Sequence, residues 1–547
     1  MKTNMHVTGG CLDWSPSSRV GGSTKGHGPG PGQLNRPSVR PTGPAGDDQR
    51  HAPFATGLVP LAQQGFGSDP DFGVRNGAGR GRPASRRVRV YGRAPVMASG
   101  PTHVGMDVGT QGIRAVLMDE RGAVVSRAHQ ALALPPPGPV QEQDPAAWWE
   151  GVITTLRSLG PARATARSLA VSCTSGTLCI LDRAGDAVVP AMLYSDTRGA
   201  GLTDVDSSWA VAKLAWLAAE APALLEQGRV FTTPGGYLTG RLLGHTAPID
   251  ETQALKLGYD PETRAWTELP VGPDALPDVV PMGTLLGSIG SGTAVATGLP
   301  TDLRLVAGIT DGVAAQLACQ PSPGSWATAV GTTMVWKTVA LRNITSAADG
   351  VYSHRGPGGW WLPGAASNAG SGILSIWASN AQLDDLARTV SIEPHGQAAY
   401  PSTARGERFP FVDPGFAPWS VEVDTSPADR YRAELVGAAF VERWGCERLV
   451  ELGCDQPRSV ATTGGATRSP VWTQLRADVL QVPVRVPVEP GSAFGAAIVA
   501  SASALGGVLA AADALVTWRS HFHPEPRRED AWSEDYAVFR QRCLAPR

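Results

Sequence analysis

The sequence predicts an α/β protein of two lobes, and three observations carry that prediction. A short phrase occurs twice, as Asp107-Val108-Gly109-Thr110 and as Val330-Gly331-Thr332-Thr333, each time after one strand-like stretch and before another. Both halves then run strands first and helices after, the order expected of a sheet that is only partly parallel. The chain's 547 residues exceed a single core and suit two domains of about 200 residues each, plus extensions.

The first hundred residues are a different material. They hold 13 Lys and Arg against 5 Asp and Glu, a net charge of +8, which leaves −10 for the remainder. Rich in Gly, Pro, Ser and Arg and without periodicity, residues 1–98 bury too little apolar surface to offset chain entropy. An Arg-rich, acid-poor leader reads as an organelle transit peptide, for a chloroplast, with Val96-Met97-Ala98 as the processing site, or else as a plain disordered tail. The mildly acidic remainder argues against a nucleic-acid partner, and no apolar run is long enough to span a membrane.

From residue 102 the elements follow in order. His103 to Met106, Ile113 to Met118 and Ala123 to Gln130 form hairpin-linked strands, joined by the first Gly-Thr turn and by Glu120-Arg121-Gly122. Asp144-Pro145 starts a helix with Trp148, Trp149, Val152, Ile153 and Leu156 at helical spacing. Strands at Leu169 to Cys173 and Leu178 to Leu181 and a helix at Trp209 to Ala219 complete the first lobe. Leu305 to Gly312 is a strand ending in a turn that opens a helix, and the hinge falls there. The second lobe has strands at Trp326 to Val330 and Met334 to Leu341, then Gly364 to Gly372 running into a helix at Ile373 to Asn380. A long amphipathic helix covers Ala428 to Cys446, with shorter ones at Val471 to Leu480 and Ala493 to Ala502. The resulting domains are 99–310 and 311–520, with a C-terminal extension at 521–547.

Seven cysteines without a CxxC pair read as reduced thiols, with Cys446 and Cys454 the pair a redox control would use. The histidines show no metal-ligating spacing.

Three constellations carry chemistry. A carboxylate at the end of a buried strand, Asp107, needs a Mg²⁺ shell, a substrate hydroxyl or an ion pair; Arg114 offers the last. Thr110, Gln111 and Gly112 at the following bend offer donors to phosphate or sugar oxygens. In Thr310-Asp311-Gly312, Thr310 is placed to cap a helix and Asp311 falls in its first turn, where the macrodipole favours the ionised form. Such an aspartate fits either a cap or a general base that takes a proton from an attacking hydroxyl. In Thr462 to Trp472, Gly464 and Gly465 leave room for a planar base, and Trp472 fits either an aromatic wall or the core. No GxxxxGK[ST] is present, which excludes a P-loop.

These motifs, with Gly406-Glu407-Arg408 and Pro410 and with Gly491-Ser492-Ala493-Phe494-Gly495, together resemble the FGGY carbohydrate kinases over residues 102–540. The resemblance implies two ribonuclease-H-like lobes of the actin/hexokinase type with a catalytic cleft between them, ATP and Mg²⁺ as cofactors, and a phosphorylated sugar. It makes Asp311 the catalytic base and puts Asp107, Thr110, Gln111, Gly112 and Ser175 on the sugar, Asp107 also on the metal. Gly331, Thr332, Thr333, Gly464, Gly465, Ala466, Ser469 and Trp472 fall on ATP. Where xylulose kinases show Gln-Met-His-Gly, this chain has Ser172-Cys173-Thr174-Ser175-Gly176-Thr177. That run, Asn368 and Tyr194-Ser195-Asp196-Thr197-Arg198 resemble the plant and cyanobacterial D-ribulose kinases of the family. Asp196 and Arg198 fit a sugar contact or a local ion pair. The activity implied is D-ribulose phosphorylation, with D-xylulose or another polyol as alternatives. An actin-like nucleotide sensor or scaffold is the reading of another class, and it has no need of Asp311.

Overall fold

A computed structural model describes residues 100–545 other than 392, 395–396, 422–424 and 527–528, together with the backbone of Arg89–Val90. The described residues all fall in one compact unit, within Val59–Arg547. Most of the proposed leader lies outside the described residues, and everything below concerns that unit.

The first sheet contains β1 (Arg89–Val90), β2 (Thr102–Gly109), β3 (Gly112–Asp119), β4 (Val124–Ala131), β5 (Ala166–Cys173), β6 (Leu285–Ser288), β7 (Arg304–Val306) and β8 (Ile309–Thr310). Its order is β1-β4-β3-β2-β5-β7-β6, with β8 also pairing with β5. The second sheet contains β9 (Trp326–Val330), β10 (Met334–Thr338), β11 (Tyr352–Arg355), β12 (Trp361–Ser367), β13 (Val460–Thr463), β14 (Val484–Pro487) and β15 (Trp518–Phe522), in the order β11-β12-β10-β9-β13-β14-β15. The doubled phrase is one unit used twice. In each sheet a Gly-Thr turn joins two antiparallel strands, and the first of these strands pairs in parallel with the next, β5 or β13.

Five helices matter for the site: α1 (Pro145–Ser158), α2 (Asp311–Leu317), α3 (Pro427–Glu451), α4 (Pro470–Leu480) and α5 (Ser492–Ser501). Asp144 caps α1 by accepting from the Ala146 amide, with Pro145 at the first position. Gln143, just before that cap, donates to the carbonyl of Thr110 at 2.9 Å, so the start of α1 props the first turn.

Two elements depart from the sequence reading. The helix expected at Ile373 to Asn380 is broken: one turn, Leu374–Trp377, ends at Ala378, and a new helix, Asn380–Thr389, begins under a capping box of Ser379 and Gln382. The long helix α3 runs on to Glu451 and is buried on most of its faces, Arg432, Glu434 and Glu442 included, so it is a core helix and not an amphipathic one.

Helix α5 lies against the first sheet and against α2. A Cβ on Gly105 of β2 would stand 1.9 Å from the Ala493 carbonyl oxygen, and one on Gly495 would stand 1.8 Å from that of Ala314. Glycine alone permits backbones this close. Two large apolar cores result, one around Val104, Met106, Ile113 and Trp148 and the other around Trp326, Trp336, Phe440 and Trp444. Among the described residues no helix is long and apolar enough to cross a membrane.

Candidate active site

The site is built where β2, β5 and β8 end together. Asp107 on β2 lies opposite Ser172 on β5, and Thr310 on β8 lies opposite Cys173. Asp107 is 6 % exposed. Its carboxylate accepts from Arg114 Nη1 at 3.2 Å and from Ser172 Oγ at 3.3 Å. Burial still raises its pKa, with Arg114 and Ser172 pulling the other way. Arg114 is thus the ion-pair partner of a core acid.

Asp311 opens α2, and here the structure corrects the sequence reading. Thr310 makes no side-chain cap; its amide instead donates to Thr252 Oγ1 at 3.0 Å. Nor does the helix start keep Asp311 readily ionised. Burial first and the Asp107 charge second push its carboxyl up to about 7, against the pull of the Gly312 amide, Lys256 and Lys337. Desolvation and a like charge outweigh the dipole of so short a helix. The Asp311 charge also acts on Tyr194, held up at about 12 chiefly by burial, and on the buried thiol of Cys173.

Other expected sugar contacts divide. Thr110 is half-buried and Gln111 exposed at the first turn, while Gly112 is buried against Gln130 and His129 of β4. Ser175 is half-buried in the turn after β5. Asp196 and Arg198 form the local ion pair, with Arg198 Nη2 2.8 Å from Asp196 and a further bond to Glu142. Asn368 is tied to the loop of Glu407, donating to the Gly406 carbonyl at 2.9 Å.

On the other lobe the second Gly-Thr turn is latched by Ser371, whose amide and hydroxyl both donate to the Gly331 carbonyl at 2.7 Å. Gly331 and Thr332 are half-buried and Thr333 is buried. The Gly464 turn comes alongside: a Cβ there would stand 2.6 Å from the Val330 carbonyl oxygen. The two turns assigned to nucleotide therefore adjoin, and Gly464 and Gly465 remain half-buried. Trp472 is a correction. At 3 % exposure it belongs to the second core, so its ring face is closed to a base. Ala466 is buried as well, and Ser469 caps α4 by accepting from the Trp472 amide at 3.2 Å. A tryptophan at N3 of a helix that packs inward is filled by the core first.

Three residues at this site escape sequence reading: Ser172 beside Asp107, and Lys256 and Lys337, whose charges act on Asp311. The one available signal was a lysine that follows three apolar residues, Met334 to Trp336, within one strand. Cys446 and Cys454 are buried free thiols.

A two-lobed α/β chain whose repeated Gly-Thr hairpins flank a protonatable aspartate has the fold of the sugar kinases. A solved xylulose kinase of Rhodospirillum rubrum superposes with a TM-score of 0.70 at 26 % identity, covering 80 % of this chain and 97 % of that one. One from Brucella ovis gives a TM-score of 0.73 at 23 % identity, covering 80 % and 98 %. The xylulose kinase of Klebsiella pneumoniae is 26 % identical over 433 residues, 72 % of this chain and 88 % of its own length. The N-terminal domain of the FGGY family of carbohydrate kinases matches residues 102–208, and the C-terminal domain of that family matches residues 325–504. The chain belongs to the FGGY family of carbohydrate kinases and is a phosphotransferase.

With its carboxyl at about 7, Asp311 gains the charge a general base would need as pH rises through neutrality. The rate kcat/KM is therefore expected to climb with pH up to about 7 and level off above it. Asp107→Asn removes one like charge while burial stays, so the acid limb should move to lower pH even though the rate itself drops. A limb that stays in place under that substitution would exclude the Asp107 repulsion as its cause.

Proposed function

We propose that this chain transfers the γ-phosphoryl group of ATP to the terminal hydroxyl of a ketopentose. The observation that carries the reading is the placing of Asp107 near the end of β2 and of Asp311 just past the end of β8, the strands on either side of β5, where burial first and the Asp107 charge second poise the Asp311 carboxyl near neutrality. A general base is most useful at such a value, because it is free to accept a proton and strong enough to take it. Asp311 removes the hydroxyl proton as the oxygen attacks phosphorus and ADP leaves. The Asp107 carboxylate, held by Arg114 and Ser172, orients the sugar. The half-buried backbone of Gly331, Thr332, Gly464 and Gly465 holds the nucleotide.

Mg²⁺ fits this donor set. No cluster of three ligating side chains exists among the described residues, yet a buried carboxylate, Asp107, whose charge already acts on the Asp311 carboxyl suits an ion that arrives with the nucleotide and keeps several waters. When bound, it would sit toward Asp107 and spread phosphate charge.

D-ribulose is the substrate we infer. In support, Ser172 to Thr177 stands where the Met-His pair would, and its first residue is already committed to Asp107. D-xylulose is the second reading, favoured by the chain's similarity to xylulose kinases. ATP consumption across D-ribulose, D-xylulose, other ketoses and gluconate separates the two. The highest kcat/KM is expected with D-ribulose. A preference for D-xylulose would reverse the order, and turnover of no sugar despite ATP binding would sink the kinase reading.

A further inference from the structure

Lys337 lies on β10 at 4 % exposure, some 10 Å along the strand from the second Gly-Thr turn. Its stem crosses Gly364 of β12, where a Cβ would stand 2.7 Å from Lys337 Cδ. It ends beside the Asp311-Gly312 peptide, with Cε 3.9 Å from where a Gly312 Cβ would stand. The Nζ bonds to His354 Nδ1 at 3.3 Å and lies 5.2 Å from the centre of the Tyr352 ring. Burial drives His354 well below its ordinary value, so the ring is neutral, and burial lowers Lys337 as well.

Lys256 reaches the same ring from the first lobe. It follows the segment that carries Asp250 and Thr252, is 1 % exposed, and places Nζ 5.1 Å from the Tyr352 centre. Two buried lysines from opposite lobes, both acting on Asp311, thus converge on one tyrosine.

Like charges so placed disfavour each other unless an anion joins them. Before transfer the Asp311 carboxylate serves both, since both lysines stabilise its charge, and Asp206 is a further anion on the Lys256 side. As Asp311 takes the hydroxyl proton, that negative charge is cancelled. At the same moment the attacking oxygen, within about 2.6–3.2 Å of the carboxylate, gains a phosphoryl group. The anion next to the lysines is then the new phosphate.

We propose that Lys337 and Lys256 form a binding site for the phosphomonoester on the terminal carbon of the sugar product. This rests on Asp311 being the base. Donation from two ammonium groups to a dianion, at about 1.5–3 kcal/mol for each charged hydrogen bond, amounts to tenfold or more in affinity per lysine.

The test is binding, followed by titration calorimetry on the full chain without nucleotide. The ligands are D-ribulose 5-phosphate, D-xylulose 5-phosphate, the two unphosphorylated ketoses and inorganic phosphate. Lys337→Met and Lys256→Met should each weaken the ketose phosphates at least tenfold and leave the ketoses within about twofold, while Lys337→Arg stays within about threefold of wild type. Equal losses for ketose and ketose phosphate, or no loss in a folded Lys337→Met, would overturn the proposal. Should Lys337→Met fail to fold, the wild-type chain still decides. Inorganic phosphate should compete with the ketose phosphate and not with the ketose, and absence of that competition refutes the site. Turnover is read separately: a chain that phosphorylates ketoses yet fails these tests loses this site and keeps its activity.

Discussion

Replacing Asp311 by asparagine should lower kcat by about 10² to 10⁴ while leaving ATP affinity nearly unchanged. Asparagine keeps the shape and the contact with the Gly312 amide, 2.7 Å away in the wild type, but cannot accept the sugar proton. The same change has a stability signature of defined sign. A carboxyl whose folded pKa is raised from 3.8 to about 7 favours the folded state below the lower value and loses that contribution as pH rises through the upper one. Asp311→Asn should therefore melt higher than wild type at pH 8 and close to it at pH 4. Retained turnover would remove Asp311 as the base. A lower melting temperature at pH 8 would show that the carboxylate is not under the repulsion described.

The second large effect lies behind the nucleotide turns. Arg476 on α4 and Glu442 on α3 are almost wholly buried and form a two-pronged pair, Nε to Oε2 and Nη2 to Oε1, each at 2.6 Å. Arg476 also donates to Thr328 Oγ1 on β9 at 2.8 Å and to Thr462 Oγ1 on β13 at 2.7 Å. Those two strands run directly into the Gly331 and Gly464 turns, so one guanidinium fixes their relative register. Arg476→Met strands a charged Glu442 in the core, and a loss of about 3–5 kcal/mol is expected in urea unfolding. Adding Glu442→Gln should restore part of it, because the orphaned charge is what costs most. A loss below about 1 kcal/mol for the single variant would mean that water reaches Glu442.

What could be read from the sequence was what local chemistry determines. Both Gly-Thr hairpins and the start of α1 at Asp144-Pro145 depend on residues within a turn of one another, and they stand where expected. The failures share a cause in distance along the chain. Asp311 looked like an easily ionised aspartate because what opposes its charge, burial by the fold first and then Asp107, comes from elements some two hundred positions away. Trp472 looked free to face a nucleotide because the core that claims it comes from β9, β10 and α3. Lys337 and Lys256 read as unremarked lysines until two lobes brought them to one tyrosine. The break at Ala378 escaped for a smaller reason: the Ser379 and Gln382 capping box restarts a helix that the apolar pattern runs straight through.

The glycine crossings of α5 have a consequence for how this enzyme can change. Packed layers ordinarily tolerate small shifts because the side chains between them change rotamer, and α5 has none of that padding at Gly105 or at the Ala314 carbonyl. The helix that carries Asp311 therefore sits on a stiff mount, backbone on backbone, and the Ser492 hydroxyl, 3.1 Å from the Asp311 carbonyl, pins its first residue. A mount of this kind slides as a body or not at all. On the function proposed above, new sugar preference would be acquired in the turns that carry Thr110 and Ser175, with Asp311 kept as the fixed reference point against which each sugar is measured.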